Sequence, residues 1–376
     1  MTTPDPFQLD IARHVWETRY RAPGEADIAA SWRRVAHAIA AVERDAAGWS
    51  ERFFEVLDGF RFLPGGRILA GAGTDRRVTL LNCFVMGALA DDLEHIFDAL
   101  KEGALTMQHG GGVGYDFSPL RPAGTVAHAS GTIASGPVSF MRIWDAMCAT
   151  ILSTGARRGA MMATLACDHP DIETFIDAKR DAAELRHFNC SVLVTDAFMR
   201  AVADDADWPL VFAGATQHVV QARALWARLM RAAYDTAEPG VLFVDTINRD
   251  NTLAGIETLA ATNPCGEIPL PPYGACDLGS LNLAAFVRAP FETAATFDHA
   301  ALEDATRIAV RLLDDVIDAS RYPLPAQARE AHDKRRVGLG VTGLADTLAM
   351  LNLDYASAAA RDFAADLMRR VRDAAY

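Results

Sequence analysis

The chain has 376 residues, 51% of them hydrophobic and 23% charged, with a formal charge of -13. This composition can build a substantial core. It argues against a broad nucleic-acid-binding face, although backbone N–H groups and a few arginines could still hold phosphates locally. No run of about 18 apolar residues occurs and the N-terminus shows no signal-peptide pattern, so the expectation is a cytoplasmic protein with no membrane partner.

Residues 8–60 have the period of helices, with Ile28, Trp32, Val35, Ile39 and Val42 on one face. The run from Phe62 to Leu69 breaks that pattern at Pro64-Gly65-Gly66. The apolar stretch 78–86, VTLLNCFVM, reads as a buried strand carrying Cys83. A helix is predicted over 91–108, opened by acidic residues. A glycine cluster, His109 to Gly114, then leads into a strand at 115–117. Further helices are predicted over 137–150, 171–179, 221–236, 302–320, 342–351 and 357–375. Further strands are predicted over 191–195, 241–245 and 278–286. Alternation of strands and helices points to an α/β fold with a largely parallel sheet or barrel.

The six cysteines are Cys83, Cys148, Cys167, Cys190, Cys265 and Cys276. None forms a C-x-x-C pair and no Cys/His cluster has zinc-site spacing, so no metal ligands are assigned. Cys265 stands out because of its surroundings, Asn263-Pro264-Cys265-Gly266-Glu267, with further prolines at 269, 271 and 272. The prolines exclude a helix and stiffen a loop that presents a thiol, a carboxamide and a carboxylate within five residues. Such a set could perform nucleophilic or one-electron chemistry with proton transfer. It could equally be a proline-rich turn around a structural cysteine. Cys83 and Cys276 could supply two electrons by forming a disulfide if the fold brings them together.

The run NPCGE, followed by GACDLGSLNL (274–283), resembles the finger-loop region of ribonucleotide reductases. So do LLNCFVM (80–86), HGGGVGYDFSPLRP (109–122), SGPVSFMRIWDAMC (135–148), STGARRGAMMATLACDHPDIETFIDAKR (153–180), FNCSVLVTDAFM (188–199) and KRRVGLGVTGLADTL (334–348). The resemblance is to the adenosylcobalamin-dependent class and runs in order from about residue 60 to the end. Several motifs in sequence are far more specific than any one of them.

The resemblance implies reduction of ribonucleotides to 2′-deoxyribonucleotides by thiyl-radical chemistry. It implies a fold that is the first half of a ten-stranded α/β barrel, spanning 61–376 with a central finger loop at about 260–276. A small helical segment over 1–60 would precede it, too short for the ATP-binding cone of some members, so no overall-activity site is expected. Cys265 would be the radical cysteine, Glu267 the acid or base at the 3′ hydroxyl, and Asn263 a donor to the substrate hydroxyls. Cys83 and Cys276 would be the redox disulfide pair. Asn82, Gly111, Asn263, Pro264 and Gly266 would contact substrate. Asp91, Arg157 and Arg158 would serve a dNTP or ATP specificity effector.

The implied cofactor is adenosylcobalamin, with an external dithiol such as thioredoxin as reductant, and a homodimer is compatible with the resemblance. The alternatives are the same reaction driven by a separate metal-containing radical subunit, and a non-catalytic nucleotide-binding fragment partnering a full-length reductase. The family's second-half phosphate loop has no counterpart after residue 283, and no cysteine follows Cys276 to form its C-terminal cysteine pair. The expectation is therefore a chain that needs a complementary C-terminal half or polypeptide.

Overall fold

A computed structural model describes residues 7, 9–126, 133–151 and 159–376. In chain order the strands are β1 (Phe62–Pro64), β2 (Cys83–Val85), β3 (Gly112–Asp116), β4 (Met161–Ala166), β5 (Phe188–Val194), β6 (Asp207–Phe212) and β7 (Ala215–Gln221). They continue with β8 (Gly240–Phe243), β9 (Ala261–Thr262), β10 (Pro269–Leu270), β11 (Ala275–Asn282), β12 (Val287–Arg288), β13 (Thr296–Phe297) and β14 (Val337–Thr342). The chain divides into two compact units, each with strands and helices.

The first unit comprises Met1–Asn82, Cys276–Tyr322 and Ala328–Tyr376. Its helices Ile28–Ala40, Ala46–Leu57, His299–Ala319 and Ala358–Ala375 are opened by Asp27, Asp45, Asp298 and Ser357. Each of these side chains accepts a backbone N–H from the first turn. Their apolar faces meet in a core built from Trp32, Val35, Ile39, Phe53, Leu57, Leu312, Leu313 and Val316. Val42, expected on the buried face, is exposed, because the helix stops at Ala40 and the helical period ends with it. Here β11 pairs with β1 antiparallel and with β14 parallel.

Two sequence expectations need correction in this unit. The predicted strand over 78–86 forms a ladder only from Cys83. In 79–81, side-chain hydroxyls take the place of a neighbouring strand: Ser320 Oγ accepts from Leu80 N at 3.1 Å and Thr79 Oγ1 from Leu81 N at 3.2 Å. The predicted strand over 278–286 begins three residues earlier and gives way after Asn282 to a 3₁₀ turn, Leu283–Phe286.

The second unit comprises Cys83–Ala275 and Pro323–Gln327. Strands β2, β3, β4, β5 and β8 lie side by side in that order, all parallel. Helices Leu93–Gln108, Pro137–Thr150 and Ile172–Asp177 make the successive crossovers, as parallel strands require. One face of the sheet is buried beneath them. Tyr115 and Phe117 on that face meet Trp144 edge to face, and Phe117 meets Phe188. The elements here that escaped the sequence reading include strand β4, the antiparallel β6–β7 ribbon, the β9–β10 hairpin and the helices Asp196–Asp204 and Val244–Arg249.

Candidate active site

The other face of the parallel sheet carries the site. Side chains alternate along a strand, and partners across a ladder share a face. The register therefore puts Cys83 and Val85 of β2, Gly112 and Gly114 of β3, Met162 of β4 and Asn189 of β5 on one side. The hairpin β9–β10 lies over this side, holding residues 263–268 as its loop. Val85 packs with Ala261 and Leu270 to seat the hairpin. Thr164 Oγ1 anchors its approach by donating to Ala260 O at 3.0 Å. Close approach depends on glycine. A β-carbon at 114 would sit 1.8 Å from Thr262 O, and one at 112 would sit 2.7 Å from Pro264 Cγ.

The loop begins with a tight turn. Gly266 N donates to Asn263 O at 3.1 Å, with Pro264 and Cys265 at the two central positions. Proline suits the first of these, having no N–H to lose there. Gly266 follows at φ +83, where a side chain would be strained. Asn263 is wholly buried beneath the turn. Its Oδ1 accepts from Ile268 N at 3.0 Å, while its Nδ2 donates to Glu267 Oε2 at 2.6 Å and to Cys83 Sγ at 3.4 Å. One carboxamide thus ties together the carboxylate of the loop, the backbone beyond it and a thiol at the start of β2.

Cys265 is the exposed member of the six cysteines; Cys83 is half-buried and the other four are buried. Cys276 lies on β11, in the first unit, where its Sγ donates to Asp277 O at 3.0 Å. Asn82 ends the first unit, and its Oδ1 is buried without a hydrogen bond among the described residues. Gly111 faces Phe84 and Thr106, on the helix-covered side of the sheet, so its neighbour Gly112 is the glycine beneath the loop.

Asp91 is held by Arg121: Nε donates to Oδ2 at 2.7 Å, and the Arg121 backbone N–H to Oδ1 at 3.1 Å. Arg157 and Arg158 lie outside the described residues. The register-dependent contributors Gly112, Gly114, Met162 and Asn189 were missed by sequence reasoning; the FNCSVLV and HGGGVGY motifs were the signals that contained three of them. Among the described residues, no group of three or more His, Cys, Asp or Glu is placed to hold a metal ion. No helix among them is long and apolar enough to cross a membrane.

Comparison with known proteins agrees with this architecture. Residues 81–376 match the family model for the ribonucleotide reductase barrel domain, and residues 7–77 the model for the ribonucleotide reductase all-alpha domain. The chain belongs to the ribonucleotide reductase large-chain family. It is 45% identical over 331 residues to a vitamin B12-dependent ribonucleoside-diphosphate reductase of Mycobacterium tuberculosis, covering 87% of this chain and 47% of that protein. A protein of the same description from Thermoplasma acidophilum is 38% identical, over 88% of this chain and 43% of its own length. The ribonucleoside-diphosphate reductase subunit alpha of Chlamydia pneumoniae is 27% identical, over 88% and 35%. The chain spans about half the length, or less, of these relatives.

Proposed function

We propose that this chain carries the radical-site portion of an adenosylcobalamin-dependent ribonucleoside-diphosphate reductase. The observation that carries the reading is the Asn263 carboxamide, which bridges Glu267 and Cys83 under a turn that presents Cys265. The B12-dependent relatives in Mycobacterium tuberculosis and Thermoplasma acidophilum support the choice of cofactor. The exposure of Cys265 at the surface of the described residues is compatible with it. Bound adenosylcobalamin supplies the one-electron chemistry that turns a thiol into a thiyl radical.

In this reading Cys265, as a thiyl, takes the 3′ hydrogen of the ribose. Glu267 takes the proton of the 3′ hydroxyl, and Asn263 Nδ2 exchanges its 3.4 Å bond to Cys83 for one to a substrate oxygen. The 2′ hydroxyl leaves as water. Cys83 and Cys276 together give two electrons and two protons and end as a disulfide, so one ribonucleotide and two thiols yield one deoxyribonucleotide, one disulfide and one water. Cys265 finally returns a hydrogen to C3′ and is a thiyl again. An external dithiol such as thioredoxin then reopens the disulfide by exchange. Asn82, whose carboxamide oxygen has no hydrogen bond among the described residues, is assigned to hold substrate, together with the backbone of Gly111, Pro264 and Gly266.

An effector nucleotide is assigned to Asp91, with Arg121 beside it as the cation for its phosphates. Leu93 and Phe97 on Leu93–Gln108 and Ile143 on Pro137–Thr150 are exposed apolar residues that a second copy of the chain would cover.

The test is anaerobic turnover of a ribonucleoside diphosphate with adenosylcobalamin and dithiothreitol. It uses the chain alone and the chain supplied with the part of the Mycobacterium tuberculosis relative that it does not cover. The expected result is deoxynucleotide formation with a cob(II)alamin-coupled radical signal, both lost in Cys265→Ser. Activity retained by Cys265→Ser, or no signal in either mixture, overturns the proposal.

A further inference from the structure

The turn that presents Cys265 has one weak point, the peptide between its two central residues. Rotation of that peptide converts a type I turn into a type II turn. It carries the residue at the third position to a φ near +80°, with little movement of the flanking chain. In this turn the peptide joins Pro264 to Cys265, and Cys265 is not among the residues with positive φ. A flip would swing the thiol of Cys265 while leaving Asn263, and the Gly266 N–H bond to Asn263 O, nearly in place.

The carbonyl of that peptide, Pro264 O, accepts a hydrogen bond from Asn189 Nδ2 at 2.6 Å. A carbonyl oxygen can only accept, which fixes the orientation of the Asn189 amide as well. Asn189 is the second residue of β5 and pairs across the ladder with Met162, whose Cε lies against Gly266. Pro264 rests from below on Gly112. The turn is thus gripped at two residues, Pro264 and Gly266, by three adjacent strands. The grip of Asn189 is the one that depends on the direction in which the central carbonyl points.

We propose that Asn189 is a positioning residue for Cys265, holding the Pro264–Cys265 peptide in the orientation that aims the thiol for reaction. The inference rests on the function proposed above. It predicts a specific division of effects. Loss of the Asn189 donor leaves the substrate contacts of Asn263 and Glu267 in place, because neither residue moves, disturbs only that of the Pro264 backbone, and lowers the fraction of molecules whose thiol is correctly aimed.

The experiment compares wild type with Asn189→Ala, which removes the donor, and Asn189→Asp, which puts an acceptor opposite the carbonyl at the same size. Residue 189 is exposed, so neither change removes core packing; the thermal midpoint of each variant is measured to verify this. Hydrogen exchange of the 263–270 segment is followed on the whole chain, and kcat and KM are measured in the complemented assay. The expected result is exchange in that segment faster by roughly two- to tenfold, the value of one hydrogen bond. It comes with an unchanged midpoint, a kcat lowered by more than KM is raised, and a cob(II)alamin-coupled signal reduced in the same proportion as kcat. Unchanged exchange in Asn189→Ala overturns the proposal, and so does faster exchange with an unchanged kcat. Failure of the reductase reading itself shows differently, as a wild-type protein that gives no radical signal.

Discussion

The Asn263 carboxamide stands 3.4 Å from the sulfur of Cys83, joining two residues 180 positions apart in the chain. The same nitrogen lies 2.6 Å from Glu267. A single side chain therefore sets the spacing between a potential proton carrier and a potential reductant.

Replacing Asn263 by alanine removes the donor to both and leaves Ile268 N without its acceptor. Stranding buried polar partners costs about 1–3 kcal/mol, and loss of a preorganised donor lowers kcat by about 10²- to 10³-fold. Urea unfolding and the complemented assay measure the two effects separately. A variant within twofold of wild-type turnover would show that the carboxamide is structural.

Gly114→Ala places a β-carbon where Thr262 O already sits. The hairpin must rise off the sheet, at a cost of about 1–3 kcal/mol or more. Gly255→Ala is the control: no atom lies within 4 Å of its β-carbon, so its effect should stay within about 0.5 kcal/mol. Equal denaturant midpoints for the two variants would refute the close approach.

Asp277 is wholly buried on β11, and neither carboxylate oxygen finds a hydrogen bond among the described residues. Burial, with Asp314 nearby, pushes its carboxyl well above the ordinary range. A folded-state value above the unfolded one means that stability is full below about pH 4 and falls as pH rises towards the folded value. Asp277→Asn removes that fall. Relative to wild type, the variant should gain about 1 kcal/mol or more between pH 4 and pH 8, read from urea midpoints at the two values. A difference independent of pH would show that the carboxyl is not the cause.

Much of the site was legible in the sequence because proline and glycine constrain the backbone locally. Pro264 and Gly266 specify a turn wherever they occur, and Cys265 falls between them without reference to the rest of the chain. Cys83 was harder to place. VTLLNCFVM is apolar throughout, and a run without polar alternation does not separate a strand from buried irregular chain satisfied by hydroxyls such as Thr79 and Ser320. Gly112, Gly114 and Asn189 act through the register of three neighbouring strands, and register is a non-local property. The β6–β7 ribbon was missed because Ala213 and Gly214 form its tip, both at positive φ. Alanine is a poor advertisement for that conformation, where Asn or Asp would have signalled a hairpin.

The bare strand beneath the loop has a consequence for the precision of the site. Where a side chain supports a reactive group, its rotamers spread the height of that group over a range. Under Thr262 and Pro264 the support is the main chain of β3, stripped of side chains at Gly112 and Gly114. The distance from sheet to turn is then fixed by atoms with no torsional freedom of their own. Rotamer changes in the core below β3 therefore leave the height of Thr262 and Pro264 unchanged, and the side chain of Asn189 is left to set the aim of Cys265.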